Sequence, residues 1–160
     1  MKYCSTRGGV SDLNFDDAVM MGLAEDGGLL IPQELPCIKD KLKQWRSLNY
    51  QELCLEVLDL FVGESFDRSE LKAMIHQSYR SFRTSSIAPV VPVSSIHVLE
   101  LFHGSTFAFK DVALQLLGNL FESLLYRRGD RLRILGATSG DTGSAAIHGM
   151  RHRKNLEIFM

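Results

Sequence analysis

Apolar positions recur at helical spacing in two stretches of the first half of the chain. Asn49 with Glu52 reads as a capping box, and Leu53, Val57, Leu60 and Phe61 behind it fall on one helical face. Asp67 with Glu70 reads as a second box, followed by the stripe Leu71, Met74, Ile75, Tyr79 and Phe82. Upstream, Lys2 to Thr6 predicts a short strand that ends at Gly8-Gly9. Asn14 predicts a helix cap, with Asp16 and Asp17 in the first turn, where carboxylates suit the positive helix end. Ala18 to Leu23 forms the apolar body of that helix. Asp26-Gly27-Gly28 signals a turn, and Leu29 to Ile31 before Pro32 reads as a short buried strand or extended segment. Trp45 reads as packing.

The pattern changes after Phe82. Thr84 to Pro92 is rich in Ser and Pro and reads as a linker, which divides the chain into domains 1–85 and 86–160. Beyond it, strand-like and helix-like segments alternate. Val98 to Phe102 predicts a strand, Phe109 to Arg127 a long helix, and Arg131 to Gly136 a strand. Gly143 to Arg151 predicts a helix, and Leu156 to Met160 a further strand. Alternation of this kind points to a mostly parallel α/β sheet after a small, mostly helical N-terminal domain. A parallel sheet needs helices on both faces. The final apolar run has no closing turn, so the chain reads as the N-terminal part of a longer protein.

Composition adds mainly exclusions. Of 160 residues, 45% are hydrophobic and 23% charged, as in ordinary globular proteins. The net charge is -1, so no nucleic-acid partner is expected. No apolar run approaches the roughly 20 residues that cross a bilayer, and no signal peptide opens the chain. A cytoplasmic location is therefore expected, with Cys4, Cys37 and Cys54 as reduced thiols. The five histidines lack the spacing of a ligand set, so no metal is expected. The oligomeric state is open.

Two segments carry chemistry. In Glu100-Leu-Phe-His-Gly-Ser-Thr-Phe-Ala-Phe-Lys-Asp111, a polar turn leads into the long helix, with Lys110 in its first turn. The positive helix end disfavours a cation, and Phe107 and Phe109 offer apolar walls. Both influences steer the lysine toward the neutral amine, the nucleophilic form. Asp111 opposes this if it lies near the amine. In Ile134-Leu-Gly-Ala-Thr-Ser-Gly-Asp-Thr-Gly-Ser-Ala-Ala-Ile147, a strand, a small-residue turn and a helix start follow one another. Such a turn aims amides, hydroxyls and a helix N-terminus at a carboxylate or phosphate. The spacing is neither that of a Walker loop nor that of the dinucleotide fingerprint.

His103-Gly-Ser-Thr-Phe-Ala-Phe-Lys-Asp111 resembles the cofactor-lysine motif of the threonine synthases, and Ala137-Thr-Ser-Gly-Asp-Thr-Gly-Ser-Ala145 resembles their second signature. Tyr3, Ser5-Thr6-Arg7-Gly8 and Ala24-x-Asp26-Gly27-Gly28-Leu29 are similar to that family's N-terminus, nearer the bacterial and fungal type than the plant type. The resemblance implies a three-layer α/β fold of pyridoxal-phosphate fold type II. It also implies a lyase that converts O-phospho-L-homoserine and water to L-threonine and phosphate. It implies Lys110 as the covalent anchor of pyridoxal 5'-phosphate and the proton-moving base, with Phe109 and Asp141 beside the cofactor. Thr138, Ser139, Gly140, Asp141 and Thr142 would hold the substrate. Ser105 and Phe107 stand where the family usually has proline and leucine, which implies tuning of the turn. The family's glycine-rich loop for the cofactor phosphate lies further along than these residues, so this piece alone is expected to bind the cofactor poorly and to be inactive. His103 either lines the pocket or stabilises the turn. Two other readings of the same residues are a threonine synthase-like protein, acting on another phosphorylated substrate or as an interaction protein, and a plain anion-binding α/β module.

Overall fold

The computed structural model describes all 160 residues. It divides into two compact units, Met1–Ala73 and Met74–Met160, with the division inside a helix. In the first unit, β1 (Tyr3–Ser5) pairs antiparallel with β2 (Leu30–Pro32), in the register Cys4 to Ile31. Helix α1 (Phe15–Met21) starts at Asn14, whose side chain accepts the Asp17 amide at 2.8 Å, as the capping pattern predicts. A one-turn helix, α2 (Leu42–Trp45), which the pattern did not indicate, buries Trp45. Helix α3 (Tyr50–Val62) carries the complete Asn49–Glu52 capping box. Its predicted face needs correction. Leu53 and Val57 are exposed, and the buried residues are Leu55 and Val62, because the apolar arc outside the Glu52, Glu56 and Asp59 stripe is wide and its packing partners choose the part that is buried.

Helix α4 (Arg68–Tyr79) follows. Asp67 accepts its Glu70 amide at 2.8 Å, and Leu71, Met74, Ile75 and Tyr79 are buried as the stripe predicts. In the second unit, β3 (Val90–Val93) and β4 (Ile96–Leu99) form an antiparallel hairpin. This corrects two expectations. The Ser- and Pro-rich segment contributes a strand, and the strand expected at Val98 to Phe102 joins this hairpin rather than a parallel sheet. The two-residue connection at Ser94-Ser95 leaves no length for the crossover that parallel pairing needs.

Helix α5 (Asp111–Arg128) ends where Gly129 takes a left-handed conformation and its amide reaches Leu125 O. Strand β5 (Leu132–Leu135), helix α6 (Asp141–Met150) and strand β6 (Leu156–Phe159) form the one parallel unit, in the register Leu132 to Leu156. The fold is thus α/β, with one parallel pair and two antiparallel ones. Helices α5 and α6 meet almost backbone to backbone. A Cβ at Gly118 would lie 2.1 Å from Gly149 O, so only glycine admits this approach. That contact sets the spacing of the two helices. No helix is long and apolar enough to cross a membrane.

Candidate active site

The Lys110 loop is held by its own neighbours. Arg83 donates from its backbone to His103 O at 2.9 Å and from its guanidinium to Gly104 O at 2.5 Å, and that guanidinium lies 3.7 Å from the centre of the Phe107 ring. Phe107 has a positive φ of 63°, an unusual conformation for a bulky residue, which the arginine clamp and the turn enforce. Ser105 Oγ donates to Ser81 Oγ at 2.9 Å, so this departure from the family pattern supplies a local bond. His103 Nε2 meets Glu100 Oε2 at 2.6 Å and its ring stacks on Phe102, which places it in the turn's framework.

Asp111 is completely buried. Its Oδ2 accepts from the Thr106 amide at 2.7 Å and the Thr106 hydroxyl at 3.0 Å, and its Oδ1 accepts from Gln115 Nε2 at 3.0 Å. The carboxylate is taken up by these donors and does not pair with Lys110. A Cβ on Gly104 would lie 2.4 Å from the Asp111 side chain, so the loop closes only over a glycine.

Lys110 is partly buried and makes no hydrogen bond or ion pair. Its Nζ rests 4.0 Å from the centre of the Phe109 ring. It opens into a mostly apolar cavity of about 390 Å³, shared with Leu101, Phe109, Val112, Leu114 and Thr142. An unpaired amine and a threonine from the second motif therefore face one cavity. Around the start of α6, Thr138 Oγ1 accepts from the Gly140 and Gly143 amides at 3.3 and 3.2 Å, and Ser144 Oγ donates to Gly140 O. The Asp141 and Thr142 amides carry no partner, as the first turn of a helix dictates. Thr138, Ser139, Gly140 and Asp141 are exposed around this turn and do not line the cavity.

The description "Threonine synthase N terminus" matches residues 2–79. A threonine synthase of Schizosaccharomyces pombe is 46% identical over the whole chain, which covers 33% of that protein. The crystal structure of a PLP-bound threonine synthase from Brucella melitensis superposes with a TM-score of 0.95 at 45% identity, over 99% of this chain and 35% of that one. Over its whole length the chain is similar to threonine synthases. It spans about a third of the length of the relatives it matches. The same region of a "Threonine synthase-like 2" of Xenopus laevis is 40% identical, over 100% of this chain and 34% of that protein.

Within this family frame, the reading of the sequence overlooked Arg83, Gln115 and His148. Gln115 stands four residues after Asp111, the spacing at which helical side chains meet, so that pair was available. Arg83 sits at the edge of the segment read as a linker and has no spacing signature. Pairing of His148 with Gln115, 33 residues away, follows only from the packing of α6 on α5.

Proposed function

We propose that this chain is the lysine-bearing part of a pyridoxal-phosphate lyase that converts O-phospho-L-homoserine and water to L-threonine and phosphate. The supporting observation is the unpaired Lys110 amine beside Phe109 in a cavity that Thr142 also lines. The residues present fit the group. An amine without a carboxylate partner is free to attack an aldehyde. When bound, the cofactor supplies the electron sink for carbanion chemistry. Lys110 holds it and then moves protons on the substrate's carbon chain. Phe109 stands beside it, and Asp141, on the turn outside the cavity, would reach the cofactor from the start of α6. The free amides of Asp141 and Thr142, shaped by Thr138 and flanked by Ser139 and Gly140, take the substrate carboxylate.

In the full-length protein, borohydride treatment should attach the cofactor to the peptide that holds Lys110, and Lys110→Ala should abolish that mass shift. The same variant should lower kcat by roughly 10²–10⁴-fold, the contribution of a positioned proton-transfer group. A reducible adduct that persists in Lys110→Ala would refute the assignment. The 40% identity to the Xenopus threonine synthase-like protein favours a second reading, a threonine synthase-like protein, which we take to act on another phosphorylated substrate. Phosphate release without threonine formation would select it.

A further inference from the structure

A row of polar side chains runs along the buried face of α5. Asp111, Gln115 and Asn119 are each nine-tenths or more buried, and none leaves a buried polar atom unpaired. Asn119 Nδ2 donates to Ser78 Oγ on α4 at 2.7 Å, and Arg153 donates to Asn119 Oδ1 at 2.8 Å. Gln115 is the branch point, since it donates to Asp111 and meets His148 Nδ1 on α6 at 3.1 Å. Burying three such groups is costly unless every member is satisfied, so the row specifies one arrangement of the helices.

The direction of each bond can be assigned. Gln115 Nε2 donates to Asp111 Oδ1, so the side-chain oxygen of Gln115 faces His148. That oxygen only accepts, so His148 carries its proton on Nδ1. Donors then run in one direction, from His148 through Gln115 to Asp111. From the other side, the Thr106 amide and hydroxyl close on Asp111. The chain connects the helix that bears the anion-holding turn to the loop that mounts Lys110.

We propose that His148 is a positioning residue for Lys110, acting through Gln115 and Asp111. The proposal rests on the assignment of Lys110 as cofactor lysine. With the His148 bond in place, Gln115 has one orientation, Asp111 keeps its donor and the Thr106 turn keeps its shape. Without it, the amide can turn and the mounting of the lysine loosens.

His148 is only partly buried, so its replacement leaves the core intact. In the full-length protein, His148→Leu should slow borohydride-trappable capture of pyridoxal phosphate at Lys110 by roughly three- to tenfold, the effect of one lost hydrogen bond. kcat should fall by a similar factor, with KM less affected. His148→Asn, whose amide nitrogen falls where Nδ1 stood, should restore capture. Nitrogen NMR of the unsubstituted protein should show His148 protonated at Nδ1, a test that needs no variant. Parental capture in His148→Leu, equal slowing in both variants, or a proton on Nε2 would each overturn the proposal. No capture by the unsubstituted protein would instead reject Lys110 as cofactor lysine, and the proposal with it.

Discussion

Two carboxylates organise the two units by the same local device. In the first unit, Asp26 accepts from the Ser5 hydroxyl at 2.7 Å and from the Gly28 and Gly9 amides, each at 2.8 Å. In the second, Asp111 accepts from the Thr106 amide, the Thr106 hydroxyl and Gln115. Each carboxylate gathers a turn around itself and has a glycine where a side chain would collide. The surroundings differ. Asp26 is half-buried and solvent shares its charge, whereas Asp111 has no exposure and leans wholly on its partners. Asp26 ties β1 to a turn and ends there. Asp111 ties the turn before Lys110 to a helix whose other partners come from α4 and α6. A carboxylate knot becomes relevant to function when the group it mounts is reactive and the knot is connected to something beyond its own turn.

The largest expected effect is at the buried knot. Asp111→Ala should cost roughly 3 kcal/mol or more, because it strands the Gln115 amide and the Thr106 N–H away from water. Urea unfolding measures this. If Asp26→Ala cost as much, the contrast between the knots would fail. Gly104→Ala should come next, at roughly 1–3 kcal/mol, since the added methyl must displace the Asp111 side chain. A neutral result would mean that the loop has room to relax, and the clamp would be looser than its distances suggest.

The smallest effect is the acid limb of the surface knot. The Ser5 hydroxyl first, then the Gly28 and Gly9 amides and the nearby Arg7 charge, hold the Asp26 carboxyl below its ordinary value of 3.8. A carboxyl lowered on folding stabilises fully above that ordinary value, and the stabilisation is lost as pH falls through the folded value. Asp26→Asn should therefore melt lower than the parent at neutral pH, and the gap should narrow below about pH 4. A gap independent of pH would remove ionisation from the account of Asp26.

Much of the second unit was legible in the sequence. The segments expected at Phe109 to Arg127, Arg131 to Gly136, Gly143 to Arg151 and Leu156 to Met160 match α5, β5, α6 and β6 to within about two residues, the usual fraying of helix and strand ends. Caps at Asn14 and Asn49 were legible because they depend on neighbours three residues away. The hairpin β3–β4 was not. The Ser and Pro residues around and within it resemble a loop and mask the β-branched Val90, Val91, Val93, Ile96 and Val98 that pair across the turn. The buried part of α3 was not legible either, since its apolar arc is wide and its partners select where it packs.

The sequence by itself determined where chain direction and local shape change, and it placed Lys110 and the Thr138–Thr142 turn at the starts of successive helices. These features follow from residue spacing and backbone preference, which act over one helical turn. Spacing made the Asp111–Gln115 pair available, but only the tertiary structure decided that His148 completes the row. Those contacts join residues up to 33 positions apart, and the close approach of two helices at Gly118 and Gly149 brings them together.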